Sequence, residues 1–421
     1  MSYNKLNFLD LFAGAGGLSE GFIHSGFQPI AHVESDQAAC YTLRTRMAYH
    51  WLNANKNIQI YIDYLNSKLT RDEFYSHIPK QILESVLEQE IGRQTISDIF
   101  SKIDSILGKR KLDLIIGGPP CQAYSLVGRS RDQNRMHGDK RNYLYTYYAE
   151  FLKRYKPTYF VFENVTGLLS AKDGDGHLYL SSMIDLFYEC GYITEYKILS
   201  AEDYGVLQKR RRIILVGKRG KSSNFYPEPE KWAPEVKVSE VFNDLPHLHA
   251  GEGSLGPCKL RKYNGTWQIQ AGIRNDEIPV TLHQARNNNE QDLEIYRIAV
   301  ELWNREKRRL DYNTLPDYLK SHNNKKSFLD RFKVVAKNLP YSQTVMAHIA
   351  KDGHYYIHPD IRQNRSITPR EAARLQTFPD DYYFESYTDQ AARTSAFRQI
   401  GNAVPVLLAK KIANKLREIW Q

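Results

Sequence analysis

Through the first 220 residues, short apolar runs alternate with longer stretches in which apolar positions recur every three or four residues. The runs at 7–12, 29–33, 112–116, 158–162, 194–199 and 213–217 predict strands. Those at 112–116 and 213–216 are apolar at nearly every position, as strands covered on both faces tend to be. The interval 61–108 reads as mainly helical, from 63 through 106. Strands spaced by helices in this way predict an α/β fold built on a parallel sheet.

The rhythm changes near Gly220. From there to about residue 345 the chain shows little strand alternation and carries many Pro, Gly, Asn and basic residues. Within it, positions 290–310 predict a helix with Leu293, Tyr296, Ala299, Val300 and Trp303 at helical spacing. Its end, Arg305-Glu306-Lys307-Arg308-Arg309, reads as a solvated terminus complementing the helix dipole, in preference to a nucleic-acid contact. Thr368-Pro369-Arg370-Glu371 has the order of a capping box with proline at the first helical position. A last amphipathic helix is expected over 403–420, carrying Val406, Leu407, Ala409, Ile412 and Leu416.

Composition narrows the class. Hydrophobic residues make up 42% and charged residues 25% of the 421, the balance of an ordinary globular protein rather than a disordered one. Lys and Arg number 58 against 48 acidic residues, a net charge of +10 that attracts polyanions, nucleic acid being the commonest. Four cysteines (Cys40, Cys121, Cys190, Cys258) in a chain this long are not a disulfide framework, and none has C-x-x-C spacing. A reducing, cytosolic compartment is expected. No run approaches the ~20 apolar residues of a membrane span, and the early run from Phe8 to Phe12 lacks a signal-peptide layout.

Five segments carry candidate chemistry. Asp10-Leu11-Phe12-Ala13-Gly14-Ala15-Gly16-Gly17 follows the first strand and opens a helix, where glycines allow a sharp turn and close approach to a ligand. Glu34, at the end of the second strand, suits the two hydroxyls of a ribose. By itself this loop fits NAD, S-adenosylmethionine or a plain tight turn, and it lacks the third glycine of the dinucleotide fingerprint. Gly117-Gly118-Pro119-Pro120-Cys121-Gln122 presents a thiol on a stiff loop at a strand's carboxyl end, where doubly wound sheets bind ligands. A buried structural cysteine is the alternative, but these flanks offer no apolar core.

Phe160-Val161-Phe162-Glu163-Asn164-Val165 ends a second strand in a carboxylate, either a group that burial keeps protonated near neutrality or the acid of an arginine ion pair. Gln208-Lys209-Arg210-Arg211-Arg212 precedes the strand at 213–217 and is either a solvated patch or a holder of phosphate or a base oxygen. The segments 365–382 and 399–405 are helix and turn signals whose meaning comes from company.

Together and in this order, residues 7–39, 112–128, 158–169, 204–217 and 365–407 resemble the DNA (cytosine-5)-methyltransferase family, bacterial modification enzymes in particular. The resemblance implies a Rossmann-like S-adenosylmethionine-dependent methyltransferase catalytic domain formed by residues 1–220 plus 395–421. A smaller, irregular domain would occupy 221–394, with the target-recognition region at about 221–345. It further implies that a target cytosine is flipped out of the duplex, that Cys121 attacks C6, and that the methyl group goes to C5. Glu163 would hold N3 and Arg212 the base oxygen, with Arg210 and Gln122 in the same pocket and Asn164 orienting the Pro-Cys loop.

S-adenosylmethionine, leaving as S-adenosylhomocysteine, is expected at Phe12, Gly14, Ala15, Gly17, Glu34, Pro119, Leu144, Asn402 and Val404. Asp98 is the expected adenine contact, with Asp63 as its rival. The implied partner is double-stranded DNA, and the implied setting is a restriction-modification or phage-defence system. A monomer is expected in the bacterial cytoplasm, associated with the nucleoid through its DNA and with no membrane. No metal is expected: His247, His249, His283, His348, His354 and His358 lack ligand spacing, and Asp173-Gly174-Asp175-Gly176 reads as a turn.

Two other readings remain. One branch of this family methylates tRNA, but its Cys-Phe-Thr signature is not found, and the segment between Arg212 and Arg365 is long. A catalytically inactive DNA-binding partner would have no need of Cys121, Glu163 and Arg212 together. The DNA sequence recognised is not legible in residues 221–345.

Overall fold

The computed structural model describes residues 5–120, 143–321 and 328–420. Its main sheet comprises β1 (Asn7–Leu11), β2 (Gln28–Glu34), β3 (Val86–Glu88), β4 (Leu114–Gly117), β5 (Tyr159–Val165), β6 (Tyr192–Ser200) and β7 (Arg211–Arg219). Their spatial order is β3-β2-β1-β4-β5-β7-β6. The pairs from β3 through β5 are all parallel. The six strands expected from the apolar runs are present, each displaced by no more than three residues at either end.

One expectation needs correction and another gains detail. The sheet is not wholly parallel, because β7 runs antiparallel to both β5 and β6. Only residues 201–210 separate β6 from β7. A parallel crossover needs roughly a dozen residues or more, usually a helix, so the chain turns back instead. The interval 61–108 is mainly helical, as expected, but it is broken into short pieces and holds a strand. It contains α3 (Gln59–Leu65), α4 (Arg71–Ser76), α5 (Lys80–Glu84), the edge strand β3 and α6 (Ile96–Leu107). A three-residue strand is too short to show an alternation of its own.

Alternate residues of the inner strands feed two apolar layers, as the period of two requires. Phe8, Leu114, Ile116, Val161 and Ile214 pack toward α1 (Gly17–His24) and the C-terminal helices. Leu9, Leu11, Ile115, Phe160 and Phe162 pack toward α6, α7 (Leu144–Tyr155) and α8 (Tyr179–Glu189). The longest helix, α2 (Gln37–Ala54), starts with the Asp36 carboxylate accepting from the Ala39 amide.

Beyond β7 the chain is mostly irregular, with the short helix α9 (Trp267–Gln270) and a two-stranded ladder of β8 (Gly253–Ser254) and β9 (His283–Gln284). Helix α10 (Glu290–Glu306) gathers its own core of Ile295, Tyr296, Val300, Tyr312 and Phe332. It stops four residues before the expected end because Lys307 adopts a left-handed conformation (φ 56°). The predicted capping box opens α11 (Pro369–Leu375), with Thr368 accepting from the Glu371 amide and Glu371 from the Thr368 amide. The expected helix over 403–420 is instead α13 (Val406–Glu418), preceded by α12 (Arg393–Asn402). Pro405 separates them, since the residue before a proline is pushed out of the helical region. No helix among the described residues is long and apolar enough to cross a membrane.

Candidate active site

The order of the sheet places a crevice at the carboxyl ends of β1 and β4, where connections leave in opposite directions. Two glycines make that crevice possible. A Cβ on Gly117 (φ 144°) would fall 2.0 Å from the Leu11 carbonyl oxygen, and one on Gly118 would fall 2.2 Å from that of Glu163. The end of β4 therefore passes between β1 and β5 at a distance only glycine permits.

The cleft has a volume of about 390 Å³. One wall is the glycine turn: Phe12, Gly14, Ala15 and Gly17 all line it. Glu34 organises that turn, its carboxylate accepting from the Gly14 amide at 2.7 Å and from the Ser35 and Asp36 amides at 2.8 Å each. Asn402 and Val404 close the wall from the C-terminal segment, and a Cβ at Gly17 would stand 2.4 Å from the Val404 carbonyl oxygen. Pro119, Pro120 and Leu144 form another side, and Glu163 and Arg212 line the cleft as well. The Arg212 Nε meets the Glu163 carboxylate at 2.7 Å. Cys121 and Gln122, the next residues after Pro120, lie outside the described residues.

Asn164 is buried at 2% exposure and donates from its side-chain amide to the Pro119 carbonyl at 3.2 Å. It holds the loop that leads to Cys121 and does not line the cleft. Arg210, expected in the pocket, points away from it. The Arg210 guanidinium is buried and donates to the carbonyls of Val345 (2.8 Å), Ala403 (2.7 Å) and Gly401 (3.3 Å). Arg210 lies just before β7, and the carbonyls of Val345 and of the Gly401–Ala403 turn capture its guanidinium. It supports the cleft wall from behind.

Asp98 is also outside the cleft. It is exposed on α6, accepting from the Gln89 side chain at 2.6 Å and paired with Lys102 at 2.7 Å. Its rival Asp63 is on α3, paired with Lys68 at 2.8 Å, and does not line the cleft either. Glu90, two residues past β3, does line it. Reading 63–106 as helix hides β3 and therefore the carboxylate at its end. Asp36, Arg398 and Gln399 line the cleft as well; the stretches that carry the resemblance contain them without marking them as site residues. The Asp173 segment is a turn in which that carboxylate accepts from the Asp175 and His177 amides.

Asp10 lines the cleft too, and the sequence offered it only as part of the glycine segment. It is 1% exposed, and burial, reinforced by the nearby Glu34 charge, holds its carboxyl well above the usual range. Its Oδ2 has no hydrogen-bond partner among the described residues. A buried, unsatisfied acceptor beside a glycine cradle and a ribose-type acid fits a cationic nucleoside ligand such as S-adenosylmethionine.

The sheet and cleft are those of a Rossmann-like methyltransferase. The family model for C-5 cytosine-specific DNA methylases matches residues 6–67 and 65–418. The chain is 39% identical to a type II methyltransferase of Bacillus paralicheniformis, over 98% of both proteins. It is 32% identical to a type II methyltransferase of Xanthomonas oryzae, over 97% of this chain and 84% of the relative. Its fold is similar to that of a DNA modification methyltransferase encoded within an E. coli prophage, with a TM-score of 0.61 at 22% identity, covering 99% of each chain. The chain belongs to the C-5 cytosine-specific DNA methylase family, and it methylates cytosine C5 in DNA with an S-adenosylmethionine-type methyl donor.

Proposed function

We propose that Cys121 is the nucleophile of this reaction, with Glu163 and Arg212 holding the base. The observation that carries the proposal is the Glu163–Arg212 pair, which faces the Pro119–Pro120 loop across the same cleft as the glycine cradle. The Cys121 thiolate adds to C6 of a flipped cytosine, which places electron density on C5. Glu163 keeps a proton at N3 and Arg212 donates to the base oxygen, so both groups stabilise charge spreading through the ring. S-adenosylmethionine, when bound, supplies the electrophilic methyl group that C5 takes, and S-adenosylhomocysteine remains. Loss of the C5 proton then expels Cys121 and restores the aromatic ring. Gln122 belongs to the same loop, Asn164 positions that loop, and Arg210 positions the cleft wall.

The cofactor is held by Phe12, Gly14, Ala15, Gly17, Glu34, Pro119, Leu144, Asn402 and Val404, with Asp10 as a further acceptor and Glu90 taking the adenine role in place of Asp98. We assign residues 1–220 plus 395–421 to the catalytic domain and 221–394 to a smaller domain, with target recognition at about 221–345. The type II methyltransferase names of the bacterial relatives favour a restriction-modification setting; our reading is of a cytoplasmic monomer acting on double-stranded DNA. Bisulfite sequencing of DNA from a host expressing the protein tests this reading. Methylation at one recurring sequence, lost with Cys121→Ser, is the expected result; full methylation by that variant contradicts it.

A further inference from the structure

The basic end of α10, which the sequence presents as a solvated helix terminus, lies against the entry to β7. Lys209, Trp303, Arg308, Arg309, Tyr341 and Gln343 line one cavity of about 100 Å³, separate from the catalytic cleft. Backbone hydrogen bonds fix it in place: the Lys209 amide donates to the Ser342 carbonyl at 3.0 Å, and the Ser342 amide to that of Leu207 at 2.9 Å. Among the described residues, no acidic side chain is in its lining.

The cations there are lightly committed. Lys209 and Arg211 are exposed on one side of the strand entry, and neither has a recorded ion pair among the described residues. Arg308 meets Glu306 at 3.0 Å and Arg309 meets Asp330 at 3.7 Å, and all four of these side chains are more than half exposed. Such surface pairs are worth about 0–1 kcal/mol, so a phosphate displaces them readily. Lys333 also lines the cavity but is buried and engaged by Asp330 and the Tyr355 hydroxyl. Arg212 follows Lys209 by three residues, about 10 Å of extended chain. That distance equals about three base-pair steps of a duplex.

We infer that Lys209, Arg211, Arg308 and Arg309 form a clamp for the DNA backbone beside the target cytosine. This inference rests on the reading of the cleft as the cytosine pocket. The clamp supplies affinity and register without choosing the sequence, since phosphates carry no base identity. It joins the basic end of α10 to the exposed cations at the entry to β7, the strand that also carries Arg212.

The test uses Lys209→Gln, Arg309→Gln and the double variant in the full-length protein. Binding is measured across a salt series to two fluorescent duplexes, one containing the sequence found by bisulfite mapping and one lacking it. Each lost phosphate contact lowers the slope of log K against log salt by about 0.9. Both duplexes weaken by the same factor, KM for DNA rises more than kcat falls, and S-adenosylhomocysteine affinity stays at the wild-type value, which certifies the fold. An unchanged slope overturns the clamp, and so does a loss confined to the mapped sequence, which marks base reading instead. A wild-type protein that methylates normally while its variants keep the slope removes the clamp alone. A wild-type protein that methylates no cytosine removes the reading of the cleft.

Discussion

The Arg212 guanidinium and the Glu163 carboxylate meet at 2.7 Å across the β5–β7 ladder, both only about one-seventh exposed. Register explains the meeting: Arg212 stands opposite Val165 and Glu163 opposite Ile214, a diagonal pair on adjacent strands. Only because β7 is antiparallel does its first turn of residues sit at the carboxyl end of β5. The reversal of this one strand puts a cation beside the acid at the mouth of the cleft.

Glu163→Gln preserves the shape of that acid and removes its charge. Methyl transfer should fall by about 10²–10⁴-fold, the usual contribution of a positioned proton-transfer group, while S-adenosylhomocysteine still binds. Steady-state kinetics with labelled methyl donor measures the loss. Turnover within twofold of wild type would remove Glu163 from the mechanism.

Arg210 acts at a distance. Truncation in Arg210→Ala leaves the carbonyls of Val345 and Gly401 without the Arg210 donor and that of Ala403 with only the Gln376 amide, at about 1–3 kcal/mol for each buried group left unpaired. The turn carrying Asn402 and Val404 then loosens. Cofactor KM should rise more than kcat falls, and Arg210→Lys should restore little because a single ammonium does not reproduce the fork. Calorimetry with S-adenosylhomocysteine provides the second readout.

Much of this architecture was legible in the chain. The apolar runs marked six strands, and the Gly-Gly-Pro-Pro segment after β4 announced a cleft at a strand end before any geometry was known. What escaped had physical reasons. The edge strand β3 is three residues long, so Glu90 was hidden and Asp98 stood in its place. The direction of β7 follows from the length of a connection rather than from its residues. Arg210 and Arg212 look alike in sequence, and only the packing of the Gly401–Ala403 turn distinguishes the buried brace from the residue facing the cleft. The basic end of α10 could not be read without knowing that Lys209 lies against it.

Glu385 gives the fold a pH dependence that can be isolated. It is buried, accepts from the Thr45 and Tyr64 hydroxyls at 2.6 and 2.7 Å, and lies 3.7 Å from Arg71, with Tyr75 and Asp389 also nearby. Burial raises its carboxyl from 4.5 to about 7, against the lowering effects of those hydroxyls and Arg71. The folded state thus holds this proton more tightly than the unfolded chain. Its stabilising contribution is complete below pH 4.5, declines as pH rises through about 7, and is constant above that. Thermal unfolding of wild type and Glu385→Gln from pH 5 to 8 should show the difference between them shifting in favour of the Gln variant as pH rises. A difference independent of pH would contradict the assignment.

The central claim is covalent attack by Cys121. Duplex DNA carrying 5-fluorocytosine at the mapped target is incubated with the protein and S-adenosylmethionine, then denatured and digested. Fluorine at C5 cannot leave as a proton does, so the account predicts a denaturation-resistant adduct whose peptide contains Cys121, absent with Cys121→Ser. Methylation of the ordinary duplex without any such adduct on the fluorinated one, or an adduct mapped to another residue, would contradict it.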